Sequence, residues 1–130
     1  MKLISTLVLG LASFVSLHAS AQSVDFVQPQ DGAQLTSPFK VVFSVKDMGV
    51  APAGDMTPNT GHHHLLINAA SVPAWERIPA DETHKHFGKG QTEAEVSLPP
   101  GTYRLTLQFA NGAHQSYGDK LSKTIEVTVK

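Results

Sequence analysis

Histidine is the residue type whose spacing indicates the clearest chemistry in this 130-residue chain. Two His-x-His pairs are present, His62 with His64 and His84 with His86, and a further histidine follows at His114. On a β-strand, side chains two positions apart project from the same face, about 6.5 to 7 Å apart at Cα. Two imidazoles placed in this way can reach one metal ion at about 2.0 to 2.1 Å from each ring nitrogen.

Three or four imidazoles drawn from these positions would favour Zn²⁺ or Cu²⁺ over Ca²⁺ or Mg²⁺, which prefer oxygen ligands. The chain contains no cysteine, so thiolate ligands are excluded. His63 is expected to point to the other face of a regular strand and is not counted. Because only neutral imidazole binds a metal, affinity should fall below the ordinary histidine pKa near 6.5. The candidate ligands are His62, His64, His84, His86 and His114.

Methionines and carboxylates near the histidines in sequence are candidates for supporting roles in a metal site. Met48 and Met56 flank a loop rich in Pro and Gly, and thioethers would favour Cu(I) if they approached the site, although methionine more often fills a core. Nearby carboxylates would be able to accept hydrogen bonds from imidazole N–H groups and orient the rings. These carboxylates are Glu76, Asp81, Glu82 and Glu93.

The first 21 residues have the composition of a secretory signal peptide. Lys2 provides a positive start, residues 3–17 are largely apolar, and Ala19-Ser20-Ala21 offers a cleavage site. The apolar run is shorter than the roughly 20 residues that span a bilayer. We therefore predict cleavage, export to the periplasm and a single mature domain over residues 22–130, with no membrane span.

The charge balance excludes one class of partner. The mature chain would carry nine basic and eleven acidic residues, a net charge of −2 with histidine neutral. No basic stripe is available to neutralise phosphates, so a nucleic-acid partner is not expected. A metal ion is the expected partner, together with a second periplasmic protein that would donate or receive it.

Short alternating runs between turn residues predict an all-β fold, specifically an immunoglobulin-like β-sandwich of six or seven strands. Phe39, Val41, Phe43 and Val45 should share one buried face, as should the odd-numbered residues 125–129. Residues 94–98 and 102–109 should form a hairpin through Pro99-Pro100-Gly101. Residues 48–60 and 69–91 are expected to be irregular, with Trp75 and Phe87 packed. The predicted strands are 24–27, 39–45, 62–68, 94–98, 102–109 and 124–129.

Several of these motifs together resemble a bacterial family called domain of unknown function 4399. The resemblance is carried over nearly the whole mature chain by Gly61-His62-His63-His64-Leu65-Leu66-Ile67, by His84-Lys85-His86-Phe87-Gly88-Lys89-Gly90-Gln91 and by Leu98-Pro99-Pro100-Gly101-Thr102. It implies an exported β-sandwich without a settled activity. All five candidate histidines match the family pattern. Asn68 and Tyr103 stand where relatives tend to have Asp and often have His, so neither is taken as a ligand.

Three functions are compatible with the sequence. The first is a periplasmic copper or zinc carrier or buffer. The second is a metal-dependent enzyme, because a His-x-His pair with a distant His resembles the ligand sets of carbonic anhydrases and copper–zinc superoxide dismutases, a similarity of motif only. The third is an immunoglobulin-like envelope interaction domain whose histidines only form hydrogen bonds.

Overall fold

The computed structural model of the chain describes residues 2–3, 9–13 and 21–130. The predicted signal peptide, residues 1–21, therefore lies largely outside the described residues. The prediction of an all-β chain is confirmed, since the described part contains nine strands and one short 3₁₀ helix, Asp119–Leu121. The strands are β1 (Ser23–Gln28), β2 (Ala33–Leu35), β3 (Phe39–Lys46), β4 (Gly49–Val50), β5 (Thr60–Ile67), β6 (His84–His86), β7 (Glu93–Val96), β8 (Gly101–Ala110) and β9 (Ser122–Val129).

The strands form two sheets. The smaller sheet has the order β1-β3-β7, and the larger has the order β2-β9-β8-β5-β4, with β6 also paired to β5. Strand β5 pairs along one edge with β8 and along the other with β4 and β6. Most pairs are antiparallel, but β2 pairs with β9 and β4 pairs with β5 in parallel. None of the described residues form a helix with the length and apolarity needed to cross a bilayer.

The two sheets enclose one hydrophobic core. In β3 the predicted alternation is confirmed, because Phe39, Val41 and Phe43 are buried while Lys40 and Ser44 are exposed. In β9 the buried positions are Ile125, Val127 and Val129, also as predicted. These residues pack with buried leucines of β5 and β8 in a single cluster that draws on both sheets.

Strand β5 is buried on both faces, unlike its neighbours in the sequence. One face carries Leu65 and Ile67 into the core between the sheets. The opposite face carries Leu66 into a second, smaller cluster, where it packs with Val72, Ile78 and Ala110. The segment between β5 and β6 thus covers the outer face of the larger sheet, and the histidines of β5 lie in a protected environment.

The predicted hairpin between residues 94–98 and 102–109 is wrong. Strand β7 pairs with β3 in the smaller sheet, whereas β8 pairs with β5 and β9 in the larger one. The Pro99-Pro100-Gly101 connection therefore crosses between sheets, and its two prolines have no N–H to give to a ladder. The crossing is anchored by Tyr103, whose hydroxyl donates to the Pro99 carbonyl at 2.7 Å.

The two segments that we expected to be irregular each contain one short strand. Strands β4 and β6 have two and three residues, too few to show a periodic pattern. Of the two aromatic residues expected to pack in the second segment, Phe87 is buried against Phe43, with ring centroids 5.0 Å apart. Trp75 instead is 64% exposed. Its ring contacts the partly buried Tyr117, with 5.9 Å between the two ring centroids.

Candidate metal centre

Strands β5 and β6 bring three histidines together. Because side chains alternate along a strand, His62 and His64 project from the same outer face of β5, and their ring centroids lie 4.7 Å apart. The antiparallel register of β6 places His86 directly opposite His64. The His86 ring centroid lies 5.2 Å from that of His64 and 5.0 Å from that of His62.

The fourth ring comes from the loop that follows β8. The centroid of His114 lies 4.6 Å from that of His86, and its Nδ1 lies 3.1 Å from Nε2 of His62. One nitrogen from each of the four rings lies within 4.8 Å of all the others. An ion held tetrahedrally at about 2.0 to 2.1 Å from four nitrogens separates those nitrogens by about 3.4 Å. Only a small decrease in the distances between these nitrogens would therefore allow all four to bind one ion.

The position of His114 is set by the side chain of Asn111. The Asn111 Oδ1 accepts hydrogen bonds from the backbone N–H of Ala113 at 2.9 Å and of Gln115 at 3.0 Å. These bonds close a tight loop in which His114 adopts a left-handed conformation, with φ of 63°. Such a conformation costs a non-glycine residue about 1 to 3 kcal/mol, so the surrounding bonds must hold it. The Ile78 N–H adds one more, to the His114 carbonyl at 2.9 Å.

The position of His86 depends on Gly88. A Cβ atom built on Gly88 would lie 2.6 Å from Nε2 of His86 and still closer to Cε1 of the same ring. Any larger residue would therefore push the His86 ring away from its present place. The absence of a side chain at this position allows His86 to lie over the backbone of the β6–β7 connection.

The four rings differ in their access to solvent. His62 is 0% and His64 2% exposed, whereas His114 is half-buried and His86 is exposed. The solvent-facing side of the histidine cluster opens onto a cleft of about 90 Å³. The cleft is lined by His64, His86, His114, Arg77, Ile78, Pro79 and Ala80. Two of the four histidines are thus held in the interior, and two form the mouth of the cluster.

The electrostatic environment keeps the buried rings uncharged. Burial, with smaller contributions from the neighbouring histidines, lowers the pKa of His62 to about 4 and that of His64 to about 3. The pKa of His114 is also lowered, first by burial and then by the nearby charges of His86 and Arg77. Near neutral pH these three rings are therefore in the form that can donate a lone pair to a metal ion.

The hydrogen bonding within the cluster is incomplete. The Nδ1 atoms of His62 and His64 are buried and have no hydrogen-bond partner among the described residues. A buried polar group without a partner costs about 1 to 3 kcal/mol. Ring nitrogens that converge from four histidines, with an unpaired buried Nδ1 on two of those rings, suit the ligand preferences of Cu²⁺ and Zn²⁺, so the residues present fit such an ion.

His63 lies on the opposite face of β5, as the strand period predicted. Its ring packs against Phe43 and Phe109 in the core, with centroid distances of 5.1 and 5.0 Å. Neither of its ring nitrogens has a hydrogen-bond partner in the part of the chain that the structure describes, and burial lowers its pKa to about 4. Three consecutive histidines are thus divided between the cluster and the core.

The structure does not bring His84 into the cluster, so four of the five candidate histidines converge. His84 lies opposite Leu66, two residues along β6 from His86. Its Nδ1 lies 2.7 Å from Oδ1 of Asp81, within a turn that also joins the two residues by a β-bridge. The His-x-His spacing correctly placed His84 and His86 on one strand, but the local turn pairs the His84 ring with Asp81 instead of with the cluster.

The expected supporting side chains are also elsewhere. Asp81 contacts His84 outside the cluster, and Glu93 pairs with Lys40 at 3.1 Å. Met48 packs at the edge of the core, and Met56 is 57% exposed. Neither Glu76 nor Glu82 forms a side-chain hydrogen bond to a histidine among the described residues, and both are exposed.

Three residues that position or line the site were not predicted from the sequence as site residues. Asn111 was recognised only as part of an Asn-Gly turn, and Gly88 only as part of an irregular segment. Arg77 has no periodic or motif signal, because its place at the cleft depends on how the segment between β5 and β6 folds back over the sheet.

The fold and the site together define an all-β protein of two sheets with a four-histidine cluster on the outer face of the larger sheet. The chain belongs to the family described as Domain of unknown function (DUF4399), whose model matches residues 41–130. This confirms the resemblance noted in the sequence, and the matched range contains all four clustered histidines. No curated protein and no solved structure matches the chain.

Proposed function

We propose that this protein binds one Cu²⁺ or Zn²⁺ ion through ring nitrogens of His62, His64, His86 and His114, and that it acts as a metal carrier or buffer in the periplasm. The observation that carries the proposal is the convergence of one nitrogen from each ring to within 4.8 Å of the others. Histidines from β5, β6 and the loop after β8 are far apart in sequence, and the fold brings them to one point.

A purely hydrogen-bonding role explains this arrangement less well. A neutral imidazole has one donor and one acceptor, and buried histidines normally satisfy both. In the cluster, the contact between His62 Nε2 and His114 Nδ1 at 3.1 Å can be a hydrogen bond only if one of the two carries the proton. A metal ion between these two ring nitrogens would accept both of their lone pairs.

The division between interior and mouth favours a carrier or buffer. His62 and His64 are held on a strand buried on both faces, so they would fix the ion in place. His86 and His114 are accessible, so they would be the ligands from which the ion passes to another periplasmic protein. The proposed periplasmic location is supported by the signal-like composition of residues 1–21.

We also infer that the two sheets form an immunoglobulin-like sandwich. The order β1-β3-β7 corresponds to strands A-B-E of that fold, and β9-β8-β5 corresponds to G-F-C. Tyr103 near the start of β8 donates to the carbonyl four residues upstream, which is the position and bond of the tyrosine corner. A crystal structure in which β7 paired with β8 would contradict this assignment.

The enzyme hypothesis is supported by one feature, the cleft that His64, His86 and His114 share with Arg77. A catalytic metal needs a position open to water or substrate, and the cleft lies on the side where such a position would be. Assays of carbon dioxide hydration and superoxide dismutation by the metal-loaded protein would test this second candidate, and inactivity in both would favour carriage.

The primary test is metal titration of the chelator-treated protein by calorimetry, with Cu²⁺ and Zn²⁺ in separate experiments. We expect one ion per chain, and loss of tight binding in the double variant His62→Ala with His64→Ala. His84→Ala is the matched control, because it removes a histidine from the same sheet without touching the cluster, and it should bind as the parent does. Parent-like binding by the double variant would refute the site.

A further inference from the structure

Among the described residues, Arg77 is the one lysine or arginine whose side chain lines the cleft beside the cluster. It is placed there by the segment between β5 and β6, which is bound to the His114 loop. Arg77 forms a β-bridge with Gln115, and the next residue, Ile78, donates to the His114 carbonyl at 2.9 Å. The guanidinium and the ring of His114 are therefore carried by two segments that are hydrogen-bonded to each other.

The charge of Arg77 is not neutralised by a protein carboxylate in the described part of the chain. Lys40 pairs there with Glu93, Asp81 contacts the ring of His84, and Arg77 takes part in neither contact. Apart from Arg77 and the three histidines of the cluster, the lining of the cleft is apolar, from Ile78, Pro79 and Ala80. A guanidinium beside an apolar wall presents several hydrogen-bond donors to whatever enters the cleft.

The cluster itself would leave a bound ion with its full charge. Imidazole ligands are neutral, and within the described part of the chain no aspartate or glutamate belongs to the group of converging side chains. A divalent ion and Arg77 would then place about three positive charges around a small cleft with one apolar wall, where charges interact more strongly than in water. An anion between them would reduce this repulsion.

We propose that the cleft binds a small monovalent oxyanion, of the size of a carboxylate or bicarbonate, which approaches the bound metal ion on its open side and pairs with Arg77. This inference rests on the proposed metal site. The cleft volume of about 90 Å³ admits a molecule of a few heavy atoms and excludes a nucleotide or a sugar. The planar guanidinium suits a carboxylate-like group, to which it can donate two parallel hydrogen bonds.

The test uses the full chain loaded with Cu²⁺ and titrated with sodium azide, a small monovalent anion whose charge-transfer absorption reports binding to copper. We expect saturable binding of one azide per copper and displacement by sodium formate. Arg77→Gln should keep the copper stoichiometry and weaken azide binding about tenfold or more, since a hydrogen bond to a charged group is worth about 1.5 to 3 kcal/mol. Arg104→Gln, which alters the other arginine of the chain, should bind azide as the parent does.

The outcomes separate the two proposals. Absence of copper binding overturns both. Copper binding without any azide response, equal azide affinity in the parent and Arg77→Gln, or failure of formate to displace azide overturns the anion site and leaves the metal site standing. If Arg77→Gln does not fold, Ala80→Leu tests the same cleft by filling it. That variant should bind copper but lose azide, and unchanged azide binding by it would overturn the anion site.

Discussion

His63 provides a test of the reasoning about buried histidines that does not depend on metal. Its ring is 0% exposed, both ring nitrogens lack partners, and burial lowers its pKa to about 4 from 6.5. Between those two pH values the unfolded chain binds a proton at this position and the folded chain does not. The free energy of unfolding therefore has its full value above pH 6.5 and falls as the pH drops toward 4.

The expected size of the effect follows from these two pKa values. At pH 5 the difference in protonation of His63 lowers the free energy of unfolding by about 2 kcal/mol, against about 0.2 kcal/mol at pH 7. In His63→Leu, which removes the ring and keeps an apolar side chain of similar size, this loss should disappear. The free energy of unfolding of the variant relative to the parent should thus rise by about 2 kcal/mol between pH 7 and pH 5.

The assay is urea denaturation at both pH values with a chelator present, so that metal does not contribute. Val41→Ala is the control, because it alters a buried core residue that does not titrate and should lower the free energy of unfolding by a similar amount at each pH. Parallel pH profiles for His63→Leu and the parent would refute the claim that His63 is buried in its neutral form.

Two further predictions concern the metal site. At a free ion concentration 100 times Kd, Cu²⁺ or Zn²⁺ should stabilise the folded state by about 2.7 kcal/mol and raise Tm by about 10 °C or more, and an unchanged melting curve would contradict specific binding to the folded state. Gly88→Ala should displace the His86 ring and weaken metal binding by about 100-fold or more, beyond the usual loss of about 10- to 100-fold when only an outer partner of a ligand is removed. Its metal-free form should keep the stability of the parent to within about 1 kcal/mol in the same denaturation assay, because the group in conflict with the new methyl is a side chain that can move.

The parts of the fold that the sequence predicted are those governed by local alternation. Strands β3 and β9 show the period of two that a half-buried strand requires, and their buried faces were correctly assigned. The same period correctly separated His63 from His62 and His64. Alternation does not specify which strand is the neighbour, so the partner of β7 was missed, and short strands such as β6 are created by pairing with β5 rather than by their own composition.

The arrangement of the histidines was likewise predictable only where it depends on local alternation along a strand. The His-x-His spacing indicated two histidines of β5, and His114 was expected as a ligand from a separate element. The exclusion of His84 depends on a turn with Asp81, and the place of Arg77 depends on a long segment that folds over the sheet. Both are consequences of tertiary structure that no local pattern records.

The geometry of the cluster depends on three independent supports, and these imply how the site would work. Alternation in β5 holds two rings in a buried strand, the β6 register with Gly88 places a third, and the Asn111 loop places the fourth. The first support lies within the packed sheet, whereas the other two lie where the site opens to solvent. Because His86 and His114 are the more exposed members of the cluster, a bound ion would be released from them first, while the two histidines on β5 would stay in position to receive the next ion.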